Sequence, residues 1–413
     1  MSAHTIAHTS AQTDTADNSP DAQAMRSIAA VRPQWSGIRL VGSVTQGQAL
    51  RVYHAGPPYQ TPQHIPAPVR NSMAYAVLLE HWASDFDGAC ALLHSGAVQT
   101  LACQDHGLLV PLAGVLSPSM AVQEISDAAS ALAPCYAALN EGPTHATRLG
   151  RRDGLLLAHL QWLNGPFAQT LASRLAQTGP LALLPLMERA VALGDDCHAR
   201  TLEGSQLVVG ALQLPTDPAG LAAQHFLDST NAFALNLWMG AAALCLKASQ
   251  GQPHATLVTR AGGNGVEFGV ALAGRPGQWV CAPAPVPQGT VEPEHAGARA
   301  LGALGDSAVV DFFGFGAQAL ACAPAVLKAL APALPPDALK RRHKVLQAPS
   351  APGRANATSA LRCDANDCGP LVLLGMIDQA GQAGRIGAGC VDVVPALLRR
   401  ALAPRGGVDH GAA

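Results

Sequence analysis

Charged side chains are scarce in this chain, at about half the usual share. Asp, Glu, Lys and Arg together make up 13% of its 413 residues, and lysine is confined to Lys247, Lys328, Lys340 and Lys344. The 26 basic and 28 acidic side chains leave a net charge of -2. That balance builds neither a basic face for nucleic acid nor an acidic tail, so partners held by bulk electrostatics are excluded. Aromatic residues are scarce at 4%, yet apolar residues reach 49%, too many for a mainly disordered chain. The most apolar stretch, Phe233 to Leu246, is interrupted by Asn236 and is shorter than the ~18 residues a membrane-spanning helix needs. It reads as a buried helix, and no membrane partner is expected. Ten cysteines at irregular spacings do not make the dense framework of a small secreted domain, which points to a reducing cytoplasm. The first thirty residues lack a charged start and an apolar core, so no signal peptide is expected.

The length corresponds to roughly two or three domains. Residues 1–30 are polar and are expected to form a disordered tail, as are residues 404–413. Residues 31–151 read as an N-terminal α/β lobe, with a helix over Ala74 to Leu93 stopped by Gly96 and a strand over Val98 to Ala102. Between 152 and 215 the apolar positions take a helical period and predict a small helical subdomain. Residues 216–403 read as a C-terminal α/β lobe that opens with helices over Leu221 to Lys247. Strands follow over Ala255 to Thr259, Val266 to Ala273, Trp279 to Ala282 and Leu371 to Leu374. Gly305 to Asp311 resembles a turn entering a strand, Arg341 to Ala360 an exposed excursion, and Val394 to Leu402 a last helix.

Three glycine runs, Gly262-Gly263-Asn264-Gly265, Gly314-Phe315-Gly316 and Gly384 to Gly389, permit backbone N–H groups to converge on an anion, although ordinary turns explain any one of them equally simply. None is a Walker A loop or a dinucleotide fingerprint. Cys103 with His106, and Cys197 with His198, have poor metal-ligand spacing, so no metal and no cofactor is expected. Asp195, Asp196, His198 and Arg200 form a polar cluster that is dense for so weakly charged a chain. It suits helix capping, or a proton-transfer group in which Asp196 holds His198.

Taken in order, His54-Ala55-Gly56-Pro57-Pro58, Asn140-Glu141-Gly142, Gly194 to Arg200, Asn264-Gly265-x-x-Phe268-Gly269, Gly305-Asp306-Ser307-Ala308 and Ile386-Gly387-Ala388-Gly389 resemble the YlbE-like family of AllG-type oxamate carbamoyltransferase subunits. The resemblance runs from about Trp35 to Leu402. It implies an α+β fold of two mixed α/β lobes with a small helical subdomain in the middle of the chain. It also implies work beside FdrA-like and other carbamoyltransferase subunits, with the chain inactive alone. The implied reaction interconverts a ureido acid such as oxalurate plus phosphate with oxamate plus carbamoyl phosphate, in purine and allantoin nitrogen catabolism.

Such transfer builds negative charge on a carbonyl oxygen and a departing amide nitrogen, so it needs oriented donors and a proton source. The expected catalytic residues are His198, Asp196 and Glu141. The expected substrate-binding residues are His54, Asn140, Arg200, Asn264, Gly265, Asp306, Ser307, Gly387 and Gly389. The family pattern has Cys-His-His where this chain has Cys103-Gln104-Asp105, and Gly-Ile-Ala-His-Lys where it has Gly375 to Gln379. If the loop after Ile377 lines the site, Asp378 and Gln379 weaken anion binding there. The competing reading is a non-catalytic scaffold or small-carboxylate-binding subunit of such a complex.

Overall fold

Phe233–Lys247 folds as the buried helix its composition predicts, and much of the chain packs around it. The computed structural model describes residues 18–46, 50–348 and 351–403. The helix lies on a five-stranded sheet ordered Leu108–Leu109, Cys135–Ala138, Ala121–Asp127, Pro33–Leu40, Leu181–Ala182. Gly240 permits this close approach, since a Cβ there would stand 2.5 Å from Cγ1 of Ile125. On another side Trp238 meets helix Leu202–Leu212 at Gly204, where a Cβ would lie 2.9 Å from the indole. Trp35, Phe233, Trp238, Phe313 and Phe315 share one apolar cluster, and the helices within 152–215 add Leu171, Leu183, Met187 and Val208 to it. Each such large side chain contributes about 1.5–3 kcal/mol on burial.

Three smaller sheets complete an α+β fold. Val280–Pro283, Glu267–Leu272, Val258–Asn264 and Leu304–Gly305 form one antiparallel sheet. Gln288–Val291, Arg385–Asp392 and Leu371–Ile377 form another. In the third, Arg51–His54 pairs parallel with Gln99–Ala102 and antiparallel with Val115–Leu116.

Several expectations need correction. The expected tail is helical over Pro20–Ala30: Ser19 caps it, Ala24 and Ile28 are buried, and the Asp21 carboxylate accepts from the Thr256 N–H and hydroxyl. Its polar composition concealed a narrow apolar stripe whose partner lies more than two hundred residues away. The remaining tail residues, 1–17 and 404–413, fall outside the described residues. Ala74 to Leu93 is divided between helices Ala67–Leu79 and Phe86–Ser95, because Asp85 caps the second one, which Gly96 ends in the left-handed region.

Past Gly305 the chain enters the short helix Ala308–Phe312 instead of a strand. Arg341–Val345 is helical, and Arg341 bridges Asp337 and Asp392, so that stretch is not an exposed excursion. Gly262, Gly263, Gly387 and Gly389 lie inside strands, not anion-cradling loops. A Cβ at Gly387 would come within 2.2 Å of the Thr290 carbonyl oxygen, so that glycine serves close packing.

Replacing Asp21 with Ala leaves the Thr256 N–H without its acceptor and is expected to cost about 1–3 kcal/mol of stability. Urea unfolding, with proteolysis at Pro20–Ala30 as a local probe, measures it.

Candidate functional site

A cavity of about 330 Å³ opens where several segments distant in sequence converge, and its wall includes Asn140, Arg148, His198, Asn236, Ser307 and Arg385. A second cavity, of about 390 Å³, is lined by residues that include Asp105, His106, Lys247 and Arg260. The first one gathers more of the residues singled out in the sequence.

The short helix Ala308–Phe312 organises that cavity through a carboxylate at each end. Asp311 is fully buried and accepts from Nδ1 of His198 at 2.6 Å and from the Ala317 N–H at 2.7 Å. Burial works against a charged imidazole, but the charge and hydrogen bond of Asp311, helped by Asp196, raise the His198 pKa above its ordinary 6.5. With Nδ1 committed to Asp311, Nε2 is the ring nitrogen left for a ligand. Gly316 has φ 55°, and a Cβ there would press to 2.3 Å from Asp311 Oδ1, so this pairing requires glycine.

The spacing predicts that Asp196 holds the imidazole, but the ring is bonded to Asp311 instead. The Asp196 carboxylate accepts the backbone N–H groups of His198, Ala199 and Arg200 and closes the turn that presents His198. Cys197 in that turn has φ 70°, and Leu112 across the cavity has φ 48°. Non-glycine residues held in the left-handed region cost about 1–3 kcal/mol each and cluster at functional sites.

Two arginines that the sequence reading passed over face the same space. Arg148 donates from Nη2 to the Gly142 carbonyl at 2.8 Å, while its Nε is buried with no partner among the described residues. Burial lowers the pKa of this guanidinium; Glu141 opposes that effect, and the positive charge of Arg385 adds to it. Arg385 donates to the Gly387 carbonyl at 3.0 Å and pairs with Glu292. Glu292, Glu294 and His295 bring ligand atoms within 4.8 Å of one another, but the first of these is already committed to Arg385. Guanidinium groups gathered at one cavity have the chemistry to recognise a carboxylate or phosphate.

The other expected site residues divide by location. Glu141 accepts from the Thr147 hydroxyl and the Arg148 N–H, so it shapes the loop that carries Arg148; burial raises its pKa against those bonds. Asn140 donates to the Ala232 carbonyl and accepts from the Gly142 N–H, which uses both ends of its amide. Gly389 lies in the wall, and Gly387 contributes its carbonyl to Arg385. Arg200, the expected oxyanion holder, lies outside this wall and is held by Asp195 at 2.7 Å and Glu203 at 3.1 Å.

His54, Asn264 and Gly265 belong to a separate structural cluster outside this wall. There Asn264 closes a turn onto Val266 and Glu267, Tyr59 donates to its carbonyl, and the His54 ring stacks 4.4 Å from Tyr59. Burial holds His54 neutral, with a pKa of about 4. Asp378 is likewise absent from the wall, because its carboxylate accepts from the N–H groups of Ala380, Gln382 and Ala383.

Asp306 ties the remote segments to the site. Its two oxygens accept from the Gly56 N–H, Gln104 Nε2 and the Val110 N–H, at 2.9, 2.7 and 3.0 Å. Burial raises its pKa to about 7, although those bonds oppose the shift. The folded chain therefore retains this proton over a range where the unfolded chain has released it, and the resulting stability is lost as pH rises from the ordinary carboxylate value toward 7. Asp306→Asn is expected to be less stable than the parent at pH 4, because its NH₂ meets donors, and the gap narrows by pH 7. Urea unfolding at the two pH values measures it.

Residues 98–307 match the family described as oxamate carbamoyltransferase subunit AllG. The chain is 28% identical over 408 residues to the oxamate carbamoyltransferase subunit AllG of Escherichia coli K12, covering 92% of this chain and 96% of that one. It is 29% identical over 315 residues to the uncharacterized protein YahG of the same organism, covering 74% of this chain and 66% of YahG. A crystal structure of a conserved protein of unknown function from Enterococcus faecalis V583 superposes with a TM-score of 0.86 at 26% identity, over 93% of this chain and 96% of the other. Sequence and fold thus agree over nearly the whole length, and the chain belongs to the AllG family of oxamate carbamoyltransferase subunits.

Proposed function

We propose that the chain is the acid-binding subunit of a carbamoyltransferase complex. In this reading it interconverts a ureido acid such as oxalurate plus phosphate with oxamate plus carbamoyl phosphate, in allantoin nitrogen catabolism. The observation that carries the reading is the meeting of Arg148 and Arg385 with the His198–Asp311 pair at one cavity. Family membership supports action within a complex. The reading places FdrA-like and other carbamoyltransferase subunits beside this chain, in the cytoplasm.

The chemistry assigns each group a task. A phosphate oxygen bonds to the ureido carbon, the bond from that carbon to the imide nitrogen breaks, and the nitrogen leaves as the amide of oxamate. The departing nitrogen takes a proton from Nε2 of His198, and the proton of the attacking hydrogen phosphate restores the ring. Asp311 keeps the imidazole in its charged state and in position. Arg148 and Arg385 take the carboxylate, and Ser307 lies beside them in the wall.

Carbamoyl phosphate formation from oxalurate by the assembled complex tests this. Arg148→Met is expected to lower kcat/KM roughly 100-fold. Activity is expected to fall as pH rises through the raised His198 pKa, and Asp311→Asn to move that fall to lower pH, since the neutral amide no longer stabilises the imidazolium. Unchanged rates and pH profiles in both variants would place the chemistry in the partner subunits and favour the scaffold reading.

A further inference from the structure

We propose that Asn236 makes the cavity selective for acids whose far end carries an N–H group, amide and ureido acids, over dicarboxylates of the same shape. The inference rests on the anion-binding reading above and adds a second recognition element to it. Of the two asparagines in the wall, Asn140 has both ends of its amide engaged by backbone groups. Asn236, on the central helix and 1% exposed, does not. Its Nδ2 donates to the Ala138 carbonyl at 2.8 Å, and Nε2 of Gln123 donates to the same oxygen at 3.1 Å.

A carbonyl oxygen only accepts, so the Asn236 amide has one allowed orientation; turning it over would set two oxygens against each other. Oδ1 of Asn236 is therefore left buried without a donor among the described residues. An unpaired buried acceptor is costly, and a ligand N–H relieves that cost. The same wall holds the unpaired donor Nε of Arg148. Together they call for a ligand that accepts at one end and donates at the other. A dicarboxylate satisfies the arginines but sets an anionic oxygen toward Oδ1 of Asn236.

Calorimetric titration of the full chain with oxamate, oxalate and N,N-dimethyloxamate tests the proposal. Oxamate and oxalate share a heavy-atom frame and differ at one end, and dimethyloxamate keeps the charge of oxamate without its N–H. The unmodified chain is expected to bind oxamate about tenfold or more tighter than either alternative. Asn236→Leu is expected to bring the oxamate to oxalate ratio close to one, whereas Arg148→Met weakens all three acids together. The comparison of acids on the unmodified chain stands even where Leu at 236 disturbs folding. Equal binding of the three acids overturns the role of Asn236 and leaves the anion site intact. Binding of none of them overturns the anion site and the selectivity with it.

Discussion

Two carboxylates without access to solvent, Asp306 and Asp311, stand at either end of one short helix, and the segments that build the cavity are joined through them. Buried charge is tolerated only where hydrogen bonds satisfy it, and this requirement fixes the geometry. Asp306 gathers donors from the Gly56, Gln104 and Val110 regions; Asp311 gathers His198, Ala317 and, more loosely at 3.4 Å, Leu373. Removing either acceptor leaves several donors unpaired at once. The chain therefore holds Leu112, Ser307, His198 and Leu373 around one space although they are remote in sequence.

The apolar framework sets the other boundary of the site. The central helix is packed so closely, with Gly240 against Ile125 and Trp238 against Gly204, that it has little freedom to move. Asn236 breaks its apolar surface only where the helix passes the cavity. Elsewhere around the site, the left-handed turns at Leu112 and Cys197 are costly conformations that hydrogen bonds of neighbouring residues keep in place: Asp306 fixes Val110, and Asp196 fixes the turn around Cys197. Rigid packing and braced strain together keep the polar groups in register.

Local signals were legible in the sequence, and pairings were not. The apolar run at Phe233 to Leu246, the stop at Gly96 and the last helix follow from composition and punctuation within a few residues, and the structure repeats them. His198, Ser307 and Asn140 were recognisable as polar residues in unusual settings, and they reach the cavity. Asp311 was not recognisable as the partner of His198, because 113 residues separate them and Asp196 stood closer in the sequence. Arg148 and Arg385 were hidden for another reason: nothing in their own segments shows that two cations face each other. The glycine runs misled because an extended strand under close contact and a phosphate-cradling loop select the same residue.

The charges around the cavity place a limit on what it holds. Arg148, Arg385 and a protonated His198 are three cations, and each stands against a carboxylate: Asp311 pairs with His198, Glu292 with Arg385, and the buried Glu141 acts on the charge of Arg148. No surplus of positive charge remains, so an anion there is held by the directed N–H groups of the guanidiniums and not by net charge. Loss of the His198 proton withdraws one of those cations, so the proposed acid-binding and proton-donating states are one state of the site. A weakly charged chain thus needs no extended basic surface to take an anion: the cations are few, but His198 is buried, Arg148 lies largely in the interior, and fixed hydrogen bonds hold both where water screens them little. Hydrogen phosphate, as the other substrate, meets no further cationic side chain in this wall once the acid is seated. In the proposed reaction its cationic contacts must then come from outside this wall, which is the physical reason for such a subunit to work within a complex.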